Sequence, residues 1–321
     1  MGQFLDIEKK RQVEFKRSSS YFSDQARLDG QYRGKTYPFF LPAICAEENL
    51  YSEIRQSAKR YFADYGIKWH LLEHLCSSQV CCVNFLYPFA IHPDALKALL
   101  LPLYPTINRL LPMEAEKHFV AFEWIGLTNY LGEKIRSGSQ RTRGANFTSA
   151  DAAVMFERSD GIRQIVLIEW KYTESYGRQS KEISSSGTDR KRIYAPLYDR
   201  ADCPLDKKVL PDYAALFYEP FYQLMRQQLL AHEMERAHEL GASDVTVLHI
   251  APAHNKDFLK TTSPRLMGLA TSAINIWKRI AKPGKFASVS TEDLFGHFPI
   301  GEFPDMSSWW TYISARYAWL Q

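Results

Sequence analysis

"GANFTSADAAVMFE" (144–157), "RSDGIR" (158–163) and "QIVLIEWKY" (164–172) follow one another along the chain. They read as strand, Asp-Gly turn and strand, a β-hairpin. With the turn centred at Asp160, Asp151 lies nine residues before it and Glu169 nine after. Residues equidistant from a hairpin turn face each other, give or take one for the turn type. Asp151 and Glu169 are therefore expected to be cross-strand neighbours. Side chains alternate along a strand, so Lys171 shares the face of Glu169, one pleat further on. Two acids and a base converge at the open end of a hairpin whose middle is apolar. Asp160, beside Gly161, is accounted for by the turn itself.

Carboxylates a few ångströms apart repel unless a proton or a cation sits between them. A hard divalent cation such as Mg²⁺ suits such a pair, because it prefers carboxylate oxygen and keeps several waters. A neighbouring lysine then reaches an attacking water or a phosphate oxygen. This is the outline of metal-assisted phosphodiester hydrolysis. The competing explanation is a structural ion pair between Glu169 and Lys171. An exposed pair contributes little, a lone buried pair is disfavoured in so apolar a strand, and neither accounts for Asp151 opposite.

The set resembles the PD-(D/E)xK nuclease superfamily, through Asp151 and "EWK" (169–171) at the end of an apolar strand after a hairpin. The longer stretch "RTRGANFTSADAAV…LIEWKYTESYG" is similar to a bacterial branch of it. Ala150 stands where the motif has proline. The resemblance spans roughly residues 70–255 and implies an α/β fold: a restriction-endonuclease-like core with a central mixed β-sheet flanked by helices. It implies Mg²⁺ or Mn²⁺ held by Asp151, Glu169 and the backbone carbonyl of Trp170, with Lys171 acting on the attacking water. The helix that follows in such proteins is matched by "FYQLMRQQLLA" (221–231), whose Gln223 resembles a glutamine placed near nucleic acid. Members often add a helical glutamate to the metal site. Glu73 in "LLEHLCSSQ" (71–79) is the first candidate and Glu123 in "AFEWIG" (121–126) its rival.

Before the hairpin, Arg136, Arg141 and Arg143 are interspersed with Gly132, Gly138 and Gly144. Their position makes Arg141 and Arg143 candidates for phosphate contacts. Further out, apolar periodicity predicts helices over 49–66, 69–89, 92–104, 217–241 and near 264–281, and strands over 118–126 and 244–252. Residues 1–45 read as a partly ordered arm. Residues 175–212, with "DRKRIY" (189–194), read as a long polar loop.

Lys and Arg outnumber Asp and Glu by 40 to 36 over 321 residues. That mild excess permits a nucleic-acid partner without indicating one. Five cysteines, with no CxxC pair, argue against a disulfide framework or a cysteine zinc site. No signal-peptide core or membrane-length apolar run occurs, so a cytoplasmic protein is expected. The expected organisation is an N-terminal arm and helix (1–67), the nuclease-like core (68–260) and a helical C-terminal extension (261–321). The expected function is a divalent-metal-dependent nuclease acting on nucleic acid, DNA ahead of RNA, with room for a homo-oligomer. The alternative is a binding or assembly protein of the same fold without turnover.

Overall fold

The computed structural model describes residues 2–133, 140–145 and 147–320. Its strands are β1 (Gly30–Tyr32), β2 (Lys35–Tyr37), β3 (Ile107–Leu111), β4 (Val120–Trp124), β5 (Ala150–Arg158), β6 (Arg163–Trp170), β7 (Asp244–Ala251) and β8 (Phe286–Ser290). Its α-helices are α1 (Gln3–Ser18), α2 (Arg55–Asp64), α3 (Ser78–Leu86), α4 (Pro93–Leu100) and α5 (Arg190–Tyr198). They continue with α6 (Phe221–Arg236), α7 (Ala273–Ile280), α8 (Thr291–Gly296) and α9 (Ser307–Arg316).

The β5–β6 hairpin is the centre of the molecule. Gly161 takes φ +81°, and the Asp160 carboxylate accepts the Ile162 amide at 3.1 Å, closing the turn. Strands β3 and β4 both run antiparallel to β5, β3 beside its turn-proximal half and β4 beside its start. On the other side β6, β7 and β8 are parallel. The result is a mixed six-stranded sheet flanked by helices, an α/β fold consistent with a restriction-endonuclease-like core.

Alternation sorts the side chains into two cores. Phe122, Val154, Val166, Ile168, Trp170 and Leu248 pack toward α3, α8 and α9. Ala153, Met155, Ile165, Leu167, Val245 and Val247 pack toward α6 and α7. Val166, Ile168 and Leu248 are each at most 1% exposed. Burial of such a side chain contributes about 1.5–3 kcal/mol before conformational entropy is counted.

Several boundaries differ from the sequence reading. The helix expected over 69–89 begins only at Ser78. Leu71 takes φ +49°, His74 bridges to Phe40, and the Ser77 side chain caps the new start by accepting the Val80 amide. The polar loop 175–212 contains α5, with Asp189 of "DRKRIY" as its N-cap. The expected arm 1–45 holds α1 and the β1–β2 hairpin, and the 261–321 segment supplies β8 as well as helices.

Candidate active site

Ala152 pairs with Ile168, so the next pair outward is Asp151 with Glu169. In the parallel ladder Glu169 pairs with His249. On the other side Glu123 lies between the pairs Phe122–Ala152 and Trp124–Ala150, and hence opposite Asp151. The register therefore sets Glu123, Asp151, Glu169 and His249 in a row across β4, β5, β6 and β7. Glu123 bends its strand, with φ +50°.

The Lys171 ammonium touches a Glu169 carboxylate oxygen and lies 3.9 Å from Asp151 Oδ2. The Trp170 amide donates to that same Oδ2 at 2.7 Å. The Glu169 side chain is 1% exposed, Lys171 6% and Asp151 25%, so the cluster opens to solvent through Asp151. Lys171 meets Glu169 Oε1, while Oε2, also buried, has no partner among the described residues. Such acceptors are costly unless something supplies positive charge.

Burial, and then the Glu169 charge, push the Asp151 carboxyl well above the usual range, against the pull of Lys171. Burial likewise raises Glu169, with Lys171 opposing. Burial alone would lower Lys171, but Glu169 beside it outweighs this and holds the ammonium protonated. The pair of acids is thus short of positive charge.

These donors fit a hard divalent cation. Asp151, Glu169 and the Trp170 carbonyl offer oxygens, and that carbonyl accepts from Ser78 Oγ at 3.4 Å with one of its two lone pairs. Among the described residues no three or more His, Cys, Asp or Glu come together to hold a metal ion, so an ion at Asp151 and Glu169 would need water or phosphate oxygens for most of its coordination.

A family model for the restriction endonuclease associating with ARP matches residues 9–318. The chain belongs to this family. No curated protein and no solved structure shows detectable similarity to it. Membership of this restriction-endonuclease family gives the acid–lysine cluster a nucleic-acid context. Among the described residues, no helix is long and apolar enough to cross a membrane.

The remaining expected residues of this family member separate into two groups. Gln223, on α6, is half-buried and accepts the Tyr176 hydroxyl at 3.4 Å. Tyr176 in turn lies near enough to Lys171 to act on its charge. Glu73, by contrast, sits in the turn before α3, and the acids that act on Asp151 are Glu169 and Glu123. The Glu123 carboxylate is held by Gln79 Nε2 and Ser149 Oγ, each at 2.7 Å. Asn84 of α3 ties the Tyr51 amide to the Asn49 carbonyl.

The two arginines are turned inward. Arg143 donates to the Glu114 carboxylate, the Glu123 and Phe122 carbonyls and the Tyr61 hydroxyl. Arg141 donates to the Ile125 carbonyl and lies against Phe147. The Arg143 bonds commit its guanidinium to bracing the end of β4, whereas Arg141 has that one bond among the described residues and a buried Nε without an acceptor. Arg136 lies outside the described residues.

The sequence reading passed over Arg226 and Gln227 of α6. Gln227 Nε2 donates to the Ser149 carbonyl, and the Arg226 charge opposes the rise in Glu169. Their sequence signal was polarity inside an otherwise buried helix: Gln227 is 1% exposed.

Proposed function

We propose that this chain is a divalent-metal-dependent nuclease of the PD-(D/E)xK type that hydrolyses phosphodiester bonds in DNA. The observation that carries the reading is the buried Glu169 carboxylate beside Asp151, with one oxygen against a protonated Lys171 and the other without a partner among the described residues. Asp151, Glu169 and the Trp170 carbonyl would hold Mg²⁺ or Mn²⁺. When bound, such an ion supplies Lewis-acid charge to a phosphate oxygen and makes water a better nucleophile.

The chain's own groups do the rest. The Trp170 amide fixes one Asp151 oxygen, leaving the other carboxylate oxygen for ligation. Lys171 keeps its proton, so Nζ acts as a hydrogen-bond donor rather than a base. It orients the attacking water and meets negative charge that grows on the phosphate in the transition state. Glu169 positions that ammonium by direct contact. Tyr176, bonded to Gln223 and near enough to Lys171 to act on its charge, would with Gln223 meet the substrate backbone.

The test is incubation of the purified chain with duplex DNA, single-stranded DNA and RNA, with Mg²⁺, Mn²⁺ or chelator. Cleavage that needs the metal, prefers DNA and is lost in Glu169→Gln is expected. Cleavage equally strong in chelator, or in Glu169→Gln, would overturn the assignment.

A further inference from the structure

We propose that Arg226 is the cation that grips the substrate phosphate at this site. The inference rests on the nuclease reading and extends it to a residue no motif marks. Arg226 lies on the second turn of α6, half-buried, with its guanidinium 4.7 Å from the Tyr222 ring centre. Its Nη1 donates to Thr148 Oγ1 at 3.2 Å, three residues before Asp151. Its charge reaches Glu169, yet no ion pair forms between them.

A guanidinium carries five N–H donors. Among the described residues Arg226 spends one, and its Nε is buried without an acceptor. An unmet buried donor costs about 1–3 kcal/mol. Arg143, by comparison, has its guanidinium committed to protein acceptors. Among the described residues Arg226 is a cation near the acids that keeps donors in reserve.

Its aim is also set in advance. Thr148 is anchored to Glu133 through its amide at 2.8 Å and its hydroxyl at 2.6 Å, and Tyr194 donates to the same carboxylate at 2.8 Å. The guanidinium carbon lies over the Tyr222 ring. A phosphate approaching Glu123, Asp151 and Glu169 meets three carboxyl groups, with Lys171 already committed to Glu169. The fork of a guanidinium matches two phosphate oxygens at once, which an ammonium does not.

The experiment measures duplex DNA binding in Ca²⁺ across a salt series, with melting curves and single-turnover cleavage in Mg²⁺, for wild type, Arg226→Gln and Arg226→Lys. Loss of one phosphate contact lowers the slope of log affinity against log salt by about 0.9. Arg226→Gln is expected to show that drop, with affinity reduced roughly tenfold or more. Arg226→Lys is expected to keep the slope, because the charge remains, and to cleave more slowly, because the fork is lost. Wild-type slopes in both variants would overturn the proposal even if cleavage by wild type is robust. If Arg226→Gln does not fold, a wild-type cleavage rate in Arg226→Lys overturns it. Wild type without cleavage, together with the expected slope change, would sink the nuclease reading and leave Arg226 as a phosphate contact.

Discussion

Lys171 is too short a lever to anchor a duplex, and its ammonium is already against Glu169. Interactions made only in the transition state change turnover without weakening ground-state binding. Lys171→Ala should therefore lower cleavage by orders of magnitude, while DNA affinity in Ca²⁺ stays within a few-fold; wild-type turnover would refute the role. Because Glu169 then loses its buried partner, the melting curve should also shift, by an amount on the order of 3–5 kcal/mol without metal. Metal should restore much of it. In wild type, Mn²⁺ should raise the melting temperature, since it binds the fold and not the unfolded chain. Asp151→Asn should abolish most of that rise, and an equal rise would place the ion elsewhere. The raised carboxyls add a sign. Protons compete with the ion until pH exceeds the elevated Asp151 and Glu169 values, so the metal-induced rise should grow with pH.

At the scale of elements, the turn before α3 depends on a neutral histidine. His74 Nδ1 accepts the Cys76 amide at 3.1 Å, and its ring packs on Phe39 and Phe40. Burial, helped by Lys9, lowers its pKa from 6.5 to about 4. The unfolded chain takes up the proton first as pH falls, so stability is present above the unfolded value and is lost on acidification toward the folded one. Between about pH 7 and about pH 5 this amounts to about 2 kcal/mol. Urea titrations should show that loss in wild type and a smaller one in His74→Gln; parallel pH profiles would remove the argument. The same turn explains a boundary that periodicity missed. Apolar spacing over 69–77 imitates a helix, but the positive φ at Leu71 and the bridge from His74 to Phe40 divert the chain until Ser77 caps α3. Polar composition hid α5 in the same way. Its Asp189 cap was readable, but its apolar stripe is short, since Tyr194 is its buried residue.

Over the whole molecule, the two ends close on the segment that carries Lys171. Glu8 of α1 is 1% exposed and accepts the Tyr172 hydroxyl at 2.7 Å and the Trp319 indole at 3.0 Å. Arg316 of α9, also 1% exposed, binds Gln12, Asn49, Tyr312 and the Leu75 carbonyl. Glu8→Ala leaves two buried donors unmet, at about 1–3 kcal/mol each. Denaturation should show the loss, and cleavage should fall with it because Tyr172 adjoins Lys171; an unchanged midpoint would make the closure incidental. What the sequence by itself determined is the hairpin, and with it the grouping of Asp151, Glu169 and Lys171. A turn and a two-residue period are local, so counting outward from Asp160 suffices to place them. What only the tertiary structure decided is which other charges face that group. Arg143 is spent on Glu114 and Tyr61, Glu123 rather than Glu73 stands by Asp151, and Arg226 reaches it from α6. A charged side chain is free or committed according to partners distant in sequence, and only packing brings those partners within a hydrogen bond's length.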